Sequence, residues 1–83
     1  MYEGLFVTNL PLIYNERNLR TLFSRYGEVF STKLVTDKKT RKSKGYGFIK
    51  MSDRDTENAV QHLNGLVVGG KKIVVKYDTK NQN

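Results

Sequence analysis

The chain has no cysteine and a single histidine in 83 residues. Without thiols there is no disulfide framework and no thiolate metal site. One imidazole gives poor support to a zinc centre or a histidine-based triad. No metal, cofactor or catalytic group is therefore expected. Long apolar runs are also missing: none reaches the length of a membrane span, and no signal-peptide pattern follows Met1. The expectation is a soluble, intracellular domain without a membrane partner. Acidic residues are the last shortage. Eight Asp and Glu face fifteen Lys and Arg, which leaves a net charge of +7.

What is present fits one small domain with a modest core, 37% of the residues being hydrophobic. Such a basic balance points to a polyanionic partner more than to any need of the fold. The charge is also local. Lys33, Lys38, Lys39, Arg41, Lys42, Lys44 and Lys50 share their stretch with one acid, Asp37, so six of the seven net charges lie there.

The pattern along the chain gives six elements. Leu5 to Asn9 is a short β-type run that stops at Pro11. Asn15 is placed to cap a helix whose apolar stripe is Leu19, Leu22, Phe23 and Tyr26, with Gly27 as its stop. Val29 to Val35 reads as a strand, Thr36 to Ser43 as a charged loop, and Gly45 to Met51 as a strand despite its glycines. Ser52 or Asp53 caps a second helix with the stripe Thr56, Ala59, Val60 and Leu63. Gly69-Gly70 then turns the chain into a last strand, Lys72 to Tyr77. The domain is expected over residues 1–78, and the polar tail from Thr79 to Asn83 is expected to fray. The order β-α-β-β-α-β predicts an α+β, ferredoxin-like sandwich: a four-stranded antiparallel sheet with both helices on one face.

That arrangement leaves the other face open. Alternation sends Leu5, Val7, Ile49 and Met51 under the helices. It sends Phe6, Thr8, Lys44, Tyr46, Phe48 and Lys50 to the open side, with Lys33, Lys72 and Lys76, Val35 and Val74. An open sheet face is normally polar. Three aromatic rings there form an apolar patch that calls for a partner. Rings interleaved with cations suit single-stranded nucleic acid, because bases stack on rings and cations pair with phosphates. Lys38, Lys39, Arg41 and Lys42 fall at the rim and are candidate phosphate contacts.

The stretch Lys44-Gly45-Tyr46-Gly47-Phe48-Ile49-Lys50-Met51 resembles the octamer of the RNA recognition motif, and Leu5-Phe6-Val7-Thr8-Asn9-Leu10 resembles its companion hexamer. Asn9-Leu10-Pro11, Leu22-Phe23, Tyr26-Gly27 and Leu63-Asn64-Gly65 fit as well, so the likeness runs from about Gly4 to Tyr77. The resemblance implies that Phe6, Tyr46 and Phe48 contact bases and sugars and that Lys44 pairs with phosphate. Lys50, Thr8, Lys33 and Lys76 join them as open-face candidates. Four departures stand out, one being a stretch from Met51 to Ala59 that is one residue shorter than usual. Met51 occupies a usual Phe or Tyr position, Arg41 a position where Gly is frequent, and Phe30 competes with Val29 for burial. Strict alternation buries Phe30, whereas the family buries the residue at Val29 through a bulge.

The expected function is binding of single-stranded RNA in post-transcriptional handling of mRNA, in nucleus or cytoplasm, by a domain that is monomeric in isolation. Single-stranded DNA is a possible second ligand, since stacking tolerates both sugars. The alternative is a protein-interaction module on the same fold. A small ferredoxin-like enzyme such as an acylphosphatase ranks last, because Asn9-Leu10-Pro11-Leu12 has no glycine to cradle an anion. His62 reads as structural or solvent-facing. Asp53, Asp55 and Glu57 sit near a helix N-terminus, where acids favour the dipole.

Overall fold

The computed structural model describes residues 4–78, so the expected frayed tail, Thr79 to Asn83, lies outside the described residues. Strand β1 (Gly4–Thr8) leads to helix α1 (Glu16–Ser24), then to β2 (Val29–Thr36), β3 (Ser43–Met51) and helix α2 (Asp53–Leu63). Two short strands, β4 (Val67–Val68) and β5 (Lys71–Lys72), precede β6 (Val74–Asp78). The main sheet has the order β2-β3-β1-β6, with every neighbouring pair antiparallel. This is the α+β, ferredoxin-like architecture.

Both helices begin on side-chain caps. The Asn15 side chain accepts the Asn18 amide at 2.8 Å, and the Asn18 side chain accepts the Asn15 amide at 3.0 Å. This reciprocal pair satisfies two donors that a helix start would otherwise leave open. Ser52 caps α2 through the Asp55 amide at 3.2 Å. After α1 the chain must turn sharply beside α2, and Gly27 (φ 151°) does this where any Cβ would collide with the Asp55 side chain.

The helices bury Leu19, Phe23, Thr56, Ala59 and Leu63 against Leu5, Val7, Leu34, Ile49, Met51, Ile73 and Val75 of the sheet side. Each large side chain removed from water contributes about 1.5–3 kcal/mol. Gly47 lets α1 settle closely on β3. A Cβ there would run into the Lys33 carbonyl and lie 3.1 Å from Leu19. Gly47 is thus a packing device on the core face, whereas Gly45 is set apart by its positive φ of 84°.

Both border strands are tied to helices. The Leu34 amide of β2 donates to the Glu16 carboxylate at 3.1 Å, and the Arg20 guanidinium donates to the Val29 carbonyl at 3.1 Å. On the far border the Val75 amide of β6 donates to the Asn64 side chain at 2.9 Å.

The structure corrects the expected last strand. Gly69 (φ 55°) and Gly70 (φ 82°) form the two-residue turn of a separate hairpin, in which Val67 pairs with Lys72 and Val68 with Lys71. Lys72 therefore belongs to this hairpin and not to the open face of the main sheet. Sheet pairing begins only at Val74, which stands opposite Thr8. The rivalry at the start of β2 resolves through a register shift between Val29 and Ser31: Val29 is buried and Phe30 is 61% exposed.

Candidate nucleic-acid interface

Strand register places four of the sequence candidates in one row across the sheet. Lys33 of β2 stands opposite Phe48 of β3, Phe48 opposite Phe6 of β1, and Phe6 opposite Lys76 of β6. The row reads cation, ring, ring, cation. Phe6 and Phe48 stack with centroids 5.1 Å apart and planes 29° from parallel. Tyr46 and Phe6 make a T-shaped pair at 5.8 Å and 74°. All three rings are partly exposed, while their strand neighbours Leu5, Val7 and Ile49 are buried. Mutual contact holds the rings in place before any ligand arrives, which lowers the entropy cost of binding.

The other candidates surround this platform. Lys44 and Lys50 are exposed near opposite ends of β3, and Lys33 and Lys76 are exposed on the flanking strands. Thr8, partly exposed, stands opposite Val74.

The β2–β3 loop is ordered by its one acid. The Asp37 carboxylate accepts the amides of Lys39 at 2.8 Å and Thr40 at 3.0 Å, and its carbonyl accepts the Arg41 amide at 2.7 Å. The Thr40 amide, then the Lys39 amide, hold the Asp37 carboxyl below its ordinary value by bonding to its charged form. The loop so fixed leaves Lys38, Lys39, Arg41 and Lys42 exposed. Lys38, Lys39 and Lys44 converge with Val35, Thr36 and Asp37 around a recess of about 530 Å³. Arg41 and Lys42 do not line it. Arg41 holds a left-handed backbone, φ 63°, at the position where the resemblance makes glycine frequent.

Sequence reasoning missed two contributors. Asp37 was visible only as the odd acid in a basic run, although Asp followed by polar turn residues is a recognisable turn signal. Asn9 also adopts a left-handed backbone, φ 59°, and its side-chain amide donates to the Lys72 carbonyl at 2.9 Å, which ties the end of β1 to the small hairpin. Elsewhere His62 stacks on Tyr26 at 5.1 Å, with Nδ1 2.9 Å from the Asn58 carbonyl oxygen. Among the described residues no group of three or more His, Cys, Asp or Glu is placed to hold a metal ion. Among the described residues no helix is long and apolar enough to cross a membrane.

Comparison with known proteins agrees with this geometry. The cleavage stimulation factor subunit 2 tau variant of Homo sapiens is 38% identical over 82 residues, covering 98% of this chain and 13% of that protein. The polyadenylate-binding protein 6 of Arabidopsis thaliana is 40% identical over 76 residues, covering 90% of this chain and 14% of that protein. The chain thus spans about one seventh of the length of either relative. Among solved structures, an Sxl-lethal protein–RNA complex superposes with a TM-score of 0.88 at 32% identity, over 93% of this chain and 47% of that one. The RNA recognition motif matches residues 5–74, from the first strand to the start of the last, and the chain belongs to the RNA recognition motif family.

Proposed function

We propose that this domain binds single-stranded RNA on the open face of its sheet. The observation that carries the reading is the transverse row Lys33, Phe48, Phe6, Lys76, with Tyr46 in a T-shaped contact with Phe6. Phe6, Tyr46 and Phe48 offer base and sugar platforms, and Lys44, Lys50, Lys33 and Lys76 pair with phosphates. Thr8 supplies a hydroxyl beside the rings. Lys38, Lys39, Arg41 and Lys42 extend the positive field along the β2–β3 loop. No chemical step is assigned to any of these groups. The likeness to a cleavage stimulation factor subunit and a polyadenylate-binding protein supports a role in post-transcriptional handling of mRNA, in nucleus or cytoplasm. The binding unit is one domain, acting as a monomer when isolated. Single-stranded DNA can stack on the same rings, and the 2′-hydroxyl separates the two ligands.

Three platforms at about 1–3 kcal/mol each, reduced by the cost of ordering the strand, place affinity in roughly the micromolar range. The test is an NMR titration with single-stranded RNA and DNA of matched random sequence. The reading expects amide shifts along β1 and β3 and in the loop, with RNA preferred. Shifts confined to the helices, or no binding by either strand, would return the sheet face to a protein-interaction role.

A further inference from the structure

The outer side of α1 carries a second surface, on the side of the domain opposite the rings. Tyr14, Arg17, Thr21, Leu22, Arg25 and Val68 are among the residues lining a groove of about 390 Å³. Their spacing follows one side of α1, and Val68 of β4 forms the far wall. Tyr14, Leu22 and Val68 are partly buried and pack against the core, so the apolar floor is fixed. Arg17 and Arg25 are exposed, and they stand two turns apart, about 12 Å along the helix. Among the described residues no carboxylate lines the groove. Glu16, the acid nearest to it in α1, is committed to the Leu34 amide. Lys71 is the cross-strand partner of Val68 and so adds a third cation on that side of the hairpin. The recess over α2 differs in kind. Among the described residues Arg54, Asp55, Glu57, Asn58 and Gln61 line it, with mixed charge and no aliphatic side chain.

We propose that the α1 groove docks a short acidic segment of a protein partner. Apolar side chains of that segment seat on Tyr14, Leu22 and Val68, and its carboxylates pair with Arg17 and Arg25. Charge complementarity names the partner's sign, and the aliphatic floor favours a peptide over nucleic acid. Phosphates would satisfy the arginines but leave Leu22 and Val68 without a matching surface. The groove does not depend on the RNA reading, and both faces can be occupied together.

The probe is a display library of random short peptides selected on the whole chain. Enriched peptides are expected to combine Asp or Glu with Leu, Ile or Phe. They are also expected to shift the amides of Arg17, Thr21, Leu22 and Val68. Arg17→Glu with Arg25→Glu should weaken them about tenfold or more, because attraction becomes repulsion at both ends. The Gln versions should weaken them less. The melting temperature of both variants should stay near the parent's, which excludes unfolding as the cause. Selection of neutral or basic peptides only, or of peptides indifferent to the charge reversal, overturns the proposal. So does a single-stranded RNA that shifts the same amides and loses affinity in the double variant, which would assign the groove to nucleic acid.

Discussion

Phe48 and Ile49 are adjacent in β3, yet Phe48 stacks on Phe6 in the open and Ile49 is 1% exposed beneath the helices. Truncating each should therefore damage a different property. Phe48→Ala is expected to cost about 1–3 kcal/mol of RNA binding. Its stability loss should stay near 1 kcal/mol, from strand preference and the lost ring pair. Ile49→Ala should cost about 2–5 kcal/mol of stability through a cavity, with binding per folded molecule kept. Urea melts and RNA titrations on both variants check this. A Phe48→Ala protein that melts early but binds normally would contradict the assigned faces.

The second expectation concerns salt. Replacing Lys38, Lys39, Arg41 and Lys42 by Gln should weaken different RNAs alike. It should also flatten the slope of log affinity against log salt by about 0.7 per lost phosphate contact. Melting should hardly change, since exposed loop charges contribute little. An unaltered slope would mean that these cations remain solvated in the complex.

Arg41 holds a left-handed backbone that costs a residue with a Cβ about 1–2 kcal/mol. Arg41→Gly should relieve part of that strain, less the greater freedom of glycine in the unfolded chain, for a net gain of up to about 1 kcal/mol. RNA affinity should fall at the same time through the lost cation. Thermal melts with parallel titrations would show the opposed changes. A variant that gains stability and keeps its affinity removes Arg41 from the site.

Asp37 gives a pH dependence of known sign. Its carboxyl is held below the ordinary value of 3.8 by the Thr40 and Lys39 amides, so the loop is tied down above that value. The order this carboxylate provides should be lost as pH falls through the lower folded value, as the usual linkage of a depressed carboxyl requires. The Lys39 and Thr40 amide shifts should follow that midpoint in an NMR pH series. Asp37→Ala should give the low-pH loop spectrum at neutral pH. A midpoint above 3.8 would contradict the hydrogen bonding seen here.

The caps at Asn15 and Ser52, the buried stripes and the exposed rings were legible because each rests on a local rule: a side-chain oxygen before a helix, a helical repeat, a two-residue alternation. The β4–β5 hairpin was not, because its strands have two residues each and present no repeat. Gly69-Gly70 announced a turn, but nothing in Val67-Val68 or Lys71-Lys72 shows that the turn closes a hairpin of its own. Lys72 went astray for the same reason, since parity counted back from Val74 fails where pairing changes sheets. Phe30 and Val29 are equally apolar neighbours, and only the register with Met51 and Lys50 decides which is buried. The convergence of Lys38 and Lys39 on Lys44 depends on how Asp37 folds the loop, which charge counting does not convey.

Leu34 and Val75 donate amides on opposite borders of the sheet, and Glu16 and Asn64 already hold them. A strand reaching for either amide would first have to displace the Glu16 carboxylate or the Asn64 side chain that already accepts it. Pairing through either of these two amides would therefore cost a hydrogen bond that the domain already makes within itself.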